Sequence, residues 1–272
     1  MHRRTTFLAA LVFVLPGCFL STEESPFLRL SSDVATQYNR RGMVMNEKGV
    51  LQSELDLGLA TKVEGTLNVN LWTNVDLQND TGRSWFSDGQ GGRITQFDTT
   101  ISYSETYRGV DVAYGISNYD FARGPSFPNG PRNGSIEAFA SFGTDLGSVS
   151  KELSDLYPFL VVHYDFDEAD DLYVEGGLSH GTALADDIFL STDVQIGFSG
   201  SDHSYYAYGV RESGLADARA TVTATYNQSP QVTLRARLGA STIIDGDIED
   251  QFDAIGIESD NAWLSLGLDW SP

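Results

Sequence analysis

The chain has 272 residues, with 38 acidic against 17 basic side chains, a formal net charge of −21, 27 glycines and one cysteine. An acid excess of this size excludes the basic footprint of a nucleic-acid-binding surface, and a single cysteine excludes an intrachain disulfide. Beyond the first twenty residues or so, nothing is apolar for the roughly 20 residues that a membrane helix needs. A β-barrel is compatible with the mean hydropathy of −0.20, because only alternate residues of its strands meet lipid.

In chain order, His2, Arg3 and Arg4 form a basic start, and Phe7 to Leu15 an apolar core too short to span a bilayer. Residues 1–18 therefore read as a secretory signal peptide. Leu15-Pro16-Gly17-Cys18 resembles a lipobox, in which Cys18 would carry a lipid, although Pro16 departs from the usual small residue. Lipid attachment at Cys18 and removal of Cys18 with the signal both stay open. Residues 19–30 read as a polar spacer, and residues 31–272 as the barrel.

The barrel assignment rests on a side-chain period of two, the mark of a strand with two unlike faces. Leu51, Leu55, Leu57 and Leu59 oppose Gln52, Glu54 and Asp56; then Leu67, Val69, Leu71, Val75 and Leu77 oppose Asn68, Asn70, Asn74 and Asp76. Phe97, Thr99, Ile101 and Tyr103 alternate with Gln96, Asp98, Thr100 and Ser102. Val232, Leu234, Ala236 and Leu238 alternate with Thr233, Arg235 and Arg237, and Leu264, Leu266, Leu268 and Trp270 with Ser265, Gly267 and Asp269. Similar patterns near 33–43, 108–120, 134–145, 158–167, 171–181, 188–199 and 217–227 bring the count to about twelve strands, an even number as in single-chain bacterial barrels. The expected fold is all-β, an antiparallel up-and-down transmembrane β-barrel. A single helical turn is expected near Lys151 to Leu156.

Connections near residues 61–64, 106–109 and 228–231 are short, and those over 79–92, 122–132, 200–215 and 243–260 are long. Short turns at one end and long loops at the other are the outer-membrane arrangement. Two connections break it: 146–157 is long for the short side, and 167–171 is short for the long side. Tyr103, Tyr107, Phe121, Tyr157, Phe166, Phe198, Tyr226 and Trp270 lie near strand ends, where aromatic rings suit the boundary between water and hydrocarbon. A soluble sandwich would show the same alternation, so a secreted, lipid-anchored β-sandwich binding module stays open as an alternative.

Tyr38-Asn39-Arg40-Arg41-Gly42, Leu71-Trp72, the run Phe97 to Tyr103 and Tyr164-Asp165-Phe166-Asp167 resemble Gram-negative outer-membrane barrels described as porins of the TorF type, over about residue 30 to the end. The C-terminal half is also similar to the MipA/OmpV type. The TorF resemblance implies a barrel with a transport role and carries no residue-level mechanism. Many such barrels end on an aromatic residue that the assembly machinery reads, whereas Ser271 and Pro272 follow Trp270 here.

The polar faces give the candidate lumen lining: Arg41, Glu54, Asp56, Asp98, Asp111, Glu137, Asp165, Glu175, Asp193, Arg235 and Arg237. Asp76 and Arg219 lie on the same faces. Charges on a lipid-surrounded wall belong inside, since an outward one near the midplane costs up to about 4 kcal/mol. An acid-rich lumen would favour cations; arginine–acid pairing would instead fill the lumen and close it. None of His2, His163, His180 and His203 has metal-ligand spacing. No cofactor, metal or catalytic residue is expected, and the chain does not read as an enzyme, although Ser179, His163, His180 and Glu175 invite a check for a hydrolytic site. Residues 245–250 resemble a calcium loop in composition but read as a solvated acidic loop, since Gly256 stands where the bidentate glutamate is needed. The loop 79–92, with Trp85 and Phe86, could fold into the mouth or stay mobile on the surface.

The function expected is that of a porin or narrow diffusion channel for small solutes in the outer membrane, cation-preferring if the lumen is open. The alternative within the same fold is a closed structural or interaction barrel. Expected partners are outer-membrane lipids, the barrel assembly machinery and, with an open lumen, small solutes; nucleic acid is not among them.

Overall fold

A computed structural model describes residues 26–79, 85–86, 91–122 and 134–272. The signal peptide, Cys18, the start of the spacer and most of the loop 79–92 lie outside these residues.

Twelve strands close into one antiparallel barrel. They are β1 (Phe27–Ala35), β4 (Val50–Ala60), β5 (Thr66–Asp76), β6 (Ile94–Tyr107), β7 (Val110–Phe121) and β8 (Ser135–Thr144), followed by β9 (Leu156–Asp165), β10 (Asp171–Ala183), β11 (Ile188–Ser199), β12 (Gly214–Ser229), β13 (Val232–Ile243) and β14 (Asp260–Trp270). Each pairs with its sequence neighbour, and β1 closes the ring on β14, with Leu30 opposite Trp270. Closure leaves no unpaired strand edge, the condition for a sheet in hydrocarbon. A β-sandwich is thereby excluded. An 11-residue strand such as β4, rising ~3.3 Å per residue and tilted ~40°, crosses roughly 28 Å, close to the hydrocarbon thickness of a bilayer.

The side-chain period sorts the wall. Leu266 on β14 and Leu238 on β13 stand 61% and 59% exposed on the outer face, with Val34, Ile116, Leu160, Ile196 and Val222 on other strands. Among the described residues no second protein layer covers them, and the barrel sits in the outer membrane with this apolar face against lipid. Tyr107, Tyr226 and Trp270 at one end and Phe166 and Phe198 at the other are exposed, one ring at each boundary. Two of the aromatics expected there face inward instead: Phe121 is buried in the core beneath the loops, and Tyr157 donates to Asp111 inside the turn-side mouth.

The short end carries the turns 61–65, 108–109, 184–187 and 230–231. The connection 145–155 is on the same end and is filled by two 3-10 turns, Leu146–Ser148 and Lys151–Leu153. The connection 166–170 is on the opposite end. It stays tight because the Asp165 carboxylate accepts the backbone N–H groups of Asp167, Glu168 and Ala169.

The pattern near 33–43 is a correction to the sequence reading. β1 begins at Phe27, inside the stretch read as spacer, and stops at Ala35; the chain then leaves the wall and makes a hairpin, β2 (Tyr38–Arg40) and β3 (Met43–Asn46). Arg40 pairs with Met43, so Arg41 and Gly42 form a two-residue turn, with φ of 48° and 79°. Such a turn needs positive φ at both positions, and its backbone twist matches that of the flanking strands. Gly42 is also required by space: a Cβ there would come within 2.5 Å of Asp217 Cβ.

The long loops pack over this hairpin. α1 (Ser201–Tyr208) buries His203, Ser204, Ala207 and Tyr208. α2 (Gly246–Ile255) replaces the solvated acidic loop expected at 245–250: Asp245 caps the N–H groups of Asp247 and Ile248, and Gly256 ends the helix at φ 76°. Ile248 and Phe252, four residues apart, face inward and are buried. Trp85 and Phe86 extend the hairpin, their N–H groups donating to Val44 and Met45, and Trp85 Nε1 donates to Ala207 O at 3.1 Å. These side chains, with Tyr38, Met43 and Met45, form the main hydrophobic core. It lies at the loop end of the lumen.

Candidate functional site in the barrel lumen

The hairpin tip places Arg41 inside the barrel, held by a turn rather than by a wall strand. Its guanidinium donates to both Glu137 oxygens at 2.8 and 2.6 Å. Its Nη1 also lies 2.7 Å from His203 Nε2, and Tyr208 on α1 donates to its carbonyl. Arginine has only donors, so His203 Nε2 must be the acceptor and Nδ1 carries the proton, which goes to Ser199 Oγ at 2.8 Å. Burial and the nearby Arg41 charge hold the His203 imidazole well below the usual value of 6.5, so it is neutral.

From Glu137 the network crosses the lumen. His163 Nδ1 lies 3.3 Å from Glu137 and its Nε2 3.7 Å from Glu175. Arg219 binds Glu175 at 2.5 Å and Asp217 at 2.9 Å, and Tyr173 donates to Asp217. Toward the turn end a second group gathers: Arg29 against Asp56 at 2.5 Å and Glu54 at 3.8 Å, with Asn70 donating to both acids. Beside it Arg235 spans Asp33 at 2.6 Å and Asp269 at 3.2 Å.

The remaining predicted residues are spread along the wall. Asp98 accepts from Gln96, whose carbonyl in turn accepts from Tyr38. Asp111 receives Thr106 and Tyr157 at the turn-side mouth, and Asp193 receives Ser179. Asp165 is buried, spent on Ser135 and on capping its loop. Arg237 faces inward opposite Thr223 and Ser265 and makes no ion pair among the described residues. Ser179, His163, His180 and Glu175 do not assemble into a hydrolytic site. His163 bridges two glutamates, Ser179 is engaged by Asp193, and His180, one residue out of phase with inward Ser179, faces out and is exposed.

Among the described residues, cavities open at both ends of this lumen. One of 600 Å³ lies at the turn end, lined by Thr106, Asp111, Ser141, Tyr157 and Phe159. A smaller one of 260 Å³ lies beneath the hairpin, among Asn39, Arg40, Trp72, Asp98, Tyr119 and Glu175. Arg40, Trp72 and Tyr119 were not singled out from the sequence as lumen residues. For Trp72 the signal was present, since it shares the parity of Asn70 and Asn74.

The closed ring with polar inner and apolar outer faces decides the class. The fold is that of an outer-membrane β-barrel. It is similar to the NanC porin, with 10% identity over 89% of this chain and 98% of that one and a TM-score of 0.52. It is also similar to an outer-membrane channel from Pseudomonas putida F1, with 13% identity over 94% of this chain and 99% of that one and a TM-score of 0.50. No family model matches the chain, and no curated protein matches it in sequence. At these identities the porin-like likeness is one of fold.

Proposed function

We propose that the protein is a narrow outer-membrane channel for small solutes and not an enzyme, with the β2–β3 hairpin setting its bore. The observation that carries this reading is the polar inner wall. On β5 alone Asn68, Asn70, Asn74 and Asp76 face in. A wall that binds water along a strand suits a hydrated path, whereas a pure anchor has no need of one. Twelve strands are too many for wall side chains alone to fill the interior and fewer than the sixteen of wide porins. An inserted hairpin that narrows the passage fits that intermediate width.

The acids Glu54, Asp56, Asp111 and Asp193 would draw cations to the turn-side mouth. The motifs around Arg40, Trp72 and Tyr164 support placing the chain among TorF-type porins, inserted into outer-membrane lipid by the barrel assembly machinery. A second reading, a closed barrel that engages envelope partners through its loops, is favoured by the buried core of Trp85, Phe86 and Phe252 across the loop end. Planar-bilayer recording of the refolded chain separates the two. Discrete small conductance steps, enlarged when Arg41 is replaced by serine, are expected of the channel. A silent bilayer with correctly folded protein rejects it.

A further inference from the structure

The 260 Å³ cavity beneath the hairpin is lined by one cation and one anion, Arg40 and Asp98, neither of which forms an ion pair among the described residues. The Arg40 guanidinium lies 3.9 Å over the Tyr119 ring, and among the described residues it has neither an ion pair nor a side-chain hydrogen bond. Across the cavity Asp98 receives only the Gln96 amide. No nitrogen of Arg40 comes within the 4.0 Å of an Asp98 oxygen that would define an ion pair. The other charges here are matched: Arg41 by Glu137, and Arg219 by Glu175 and Asp217. A third group is open as well, since the buried Nδ2 of Asn39, on the same lining, has no acceptor.

We propose that this cavity binds a small zwitterion of the amino-acid class, its carboxylate on Arg40 and Asn39 and its ammonium on Asp98. This names the solute class for the channel proposed above and rests on that reading for its transport role, but the binding step does not. The argument is one of local charge. A lone anion would satisfy Arg40 and be repelled by Asp98, and a lone cation would meet the reverse. Only a ligand carrying both charges answers both groups. Arginine presents a donor fork suited to a carboxylate. The carboxylate of Asp98 keeps lone pairs free after its bond to Gln96. The chain Tyr38–Gln96–Asp98 fixes where that carboxylate stands. Trp72 and Tyr119 supply flat apolar walls for the body of the solute.

The test is isothermal titration of the refolded full chain in detergent micelles with leucine, N-acetylleucine and leucinamide, which are zwitterion, anion and cation of similar size. Leucine is expected to bind saturably and the other two at least about tenfold more weakly. Arg40→Gln should weaken leucine by about tenfold or more and improve leucinamide; Asp98→Asn should weaken leucine similarly and improve N-acetylleucine. That opposite change of preference is something misfolding does not produce. The proposal is overturned if either singly charged probe matches leucine on the native chain, if leucine does not bind, or if both variants bind it unchanged. Bilayer conductance is read separately. A conducting barrel that ignores leucine rejects this site alone, and a silent barrel that binds leucine rejects the channel and keeps the site.

Discussion

Arg41 at the hairpin tip and Glu137 on β8, separated by 96 residues in sequence, are joined by two hydrogen bonds of 2.8 and 2.6 Å, with side chains 8% and 2% exposed. A bidentate pair this buried is short-ranged and geometrically specific, so it locks the inserted hairpin to one stretch of wall. Removing one partner strands the other charge, at a cost of about 3–5 kcal/mol. Glu137→Ala and Arg41→Ala should each lower stability by that order, measured by urea unfolding in lipid vesicles. The double variant should cost clearly less than the sum of the two. Additive losses would mean that the pair does not couple hairpin to wall.

His203 gives the loop end a pH dependence. Its Nε2 must stay unprotonated to accept from Arg41, and it faces Ser199, Glu137 through Arg41, and the rings of Tyr173, Tyr206 and Tyr208. Its folded value is depressed below 6.5 by burial and by Arg41. Between 6.5 and that lower folded value the unfolded chain binds the extra proton and the folded chain does not, so stability falls as pH drops from about 6.5. Above the window the imidazole is neutral in both states and the loss vanishes. Unfolding midpoints between about pH 7 and pH 5 should show the drop, and His203→Gln, which cannot take up a proton, should flatten it. An unchanged slope in that variant would mean that His203 does not carry the effect.

The turn Arg41–Gly42 makes a backbone prediction. Gly42 sits at φ 79° with Asp217 against the place where a Cβ would stand. Gly42→Ala combines an unfavourable conformation of about 1 kcal/mol with a contact that only a shifted backbone relieves. The expected result is a barrel that still inserts, since the hairpin is outside the wall, but with a loosened tip. Limited proteolysis after residue 41 or 40 should then become faster, while heat-modifiable migration on gels is kept.

The strands were legible because lipid outside and water inside impose the period of two on nearly every wall residue. β10 and β11 fall where alternation ends at Ala183 and resumes at Ile188. The hairpin was not legible in the same way. Tyr38 to Met45 carries no clean period of two, since Arg40 and Arg41 adjoin and Met43, Val44 and Met45 are all buried in the enclosed hairpin, so the alternation of β1 runs into it with nothing to mark where the wall strand ends. α2 was hidden by its acids; only the cap Asp245, the Ile248–Phe252 spacing and Gly256 mark it. Of the site, the inward acids could be read from parity. Which of them meet Arg41, Arg219 or each other could not, because pairs such as Arg41–Glu137 depend on how a loop folds back into the ring.

The outer belt can be tested against the inner wall with a single charge. Leu266 lies mid-strand on β14, facing out, whereas Ser102 on β6 pairs with Asn68 and Gly115 on the inward side. Lysine at the bilayer midplane costs about 2–4 kcal/mol on a lipid-facing site, because neither lipid tails nor neighbouring leucines can hydrate it. A lumen position has water and acids within reach, so the same lysine there costs little and shifts selectivity. Leu266→Lys should therefore lower the urea midpoint in vesicles sharply or block insertion. Ser102→Lys should leave the midpoint nearly unchanged and move the reversal potential toward anions. Equal loss from both would mean that the two faces of the wall meet the same medium, which a membrane barrel with a wet interior does not allow.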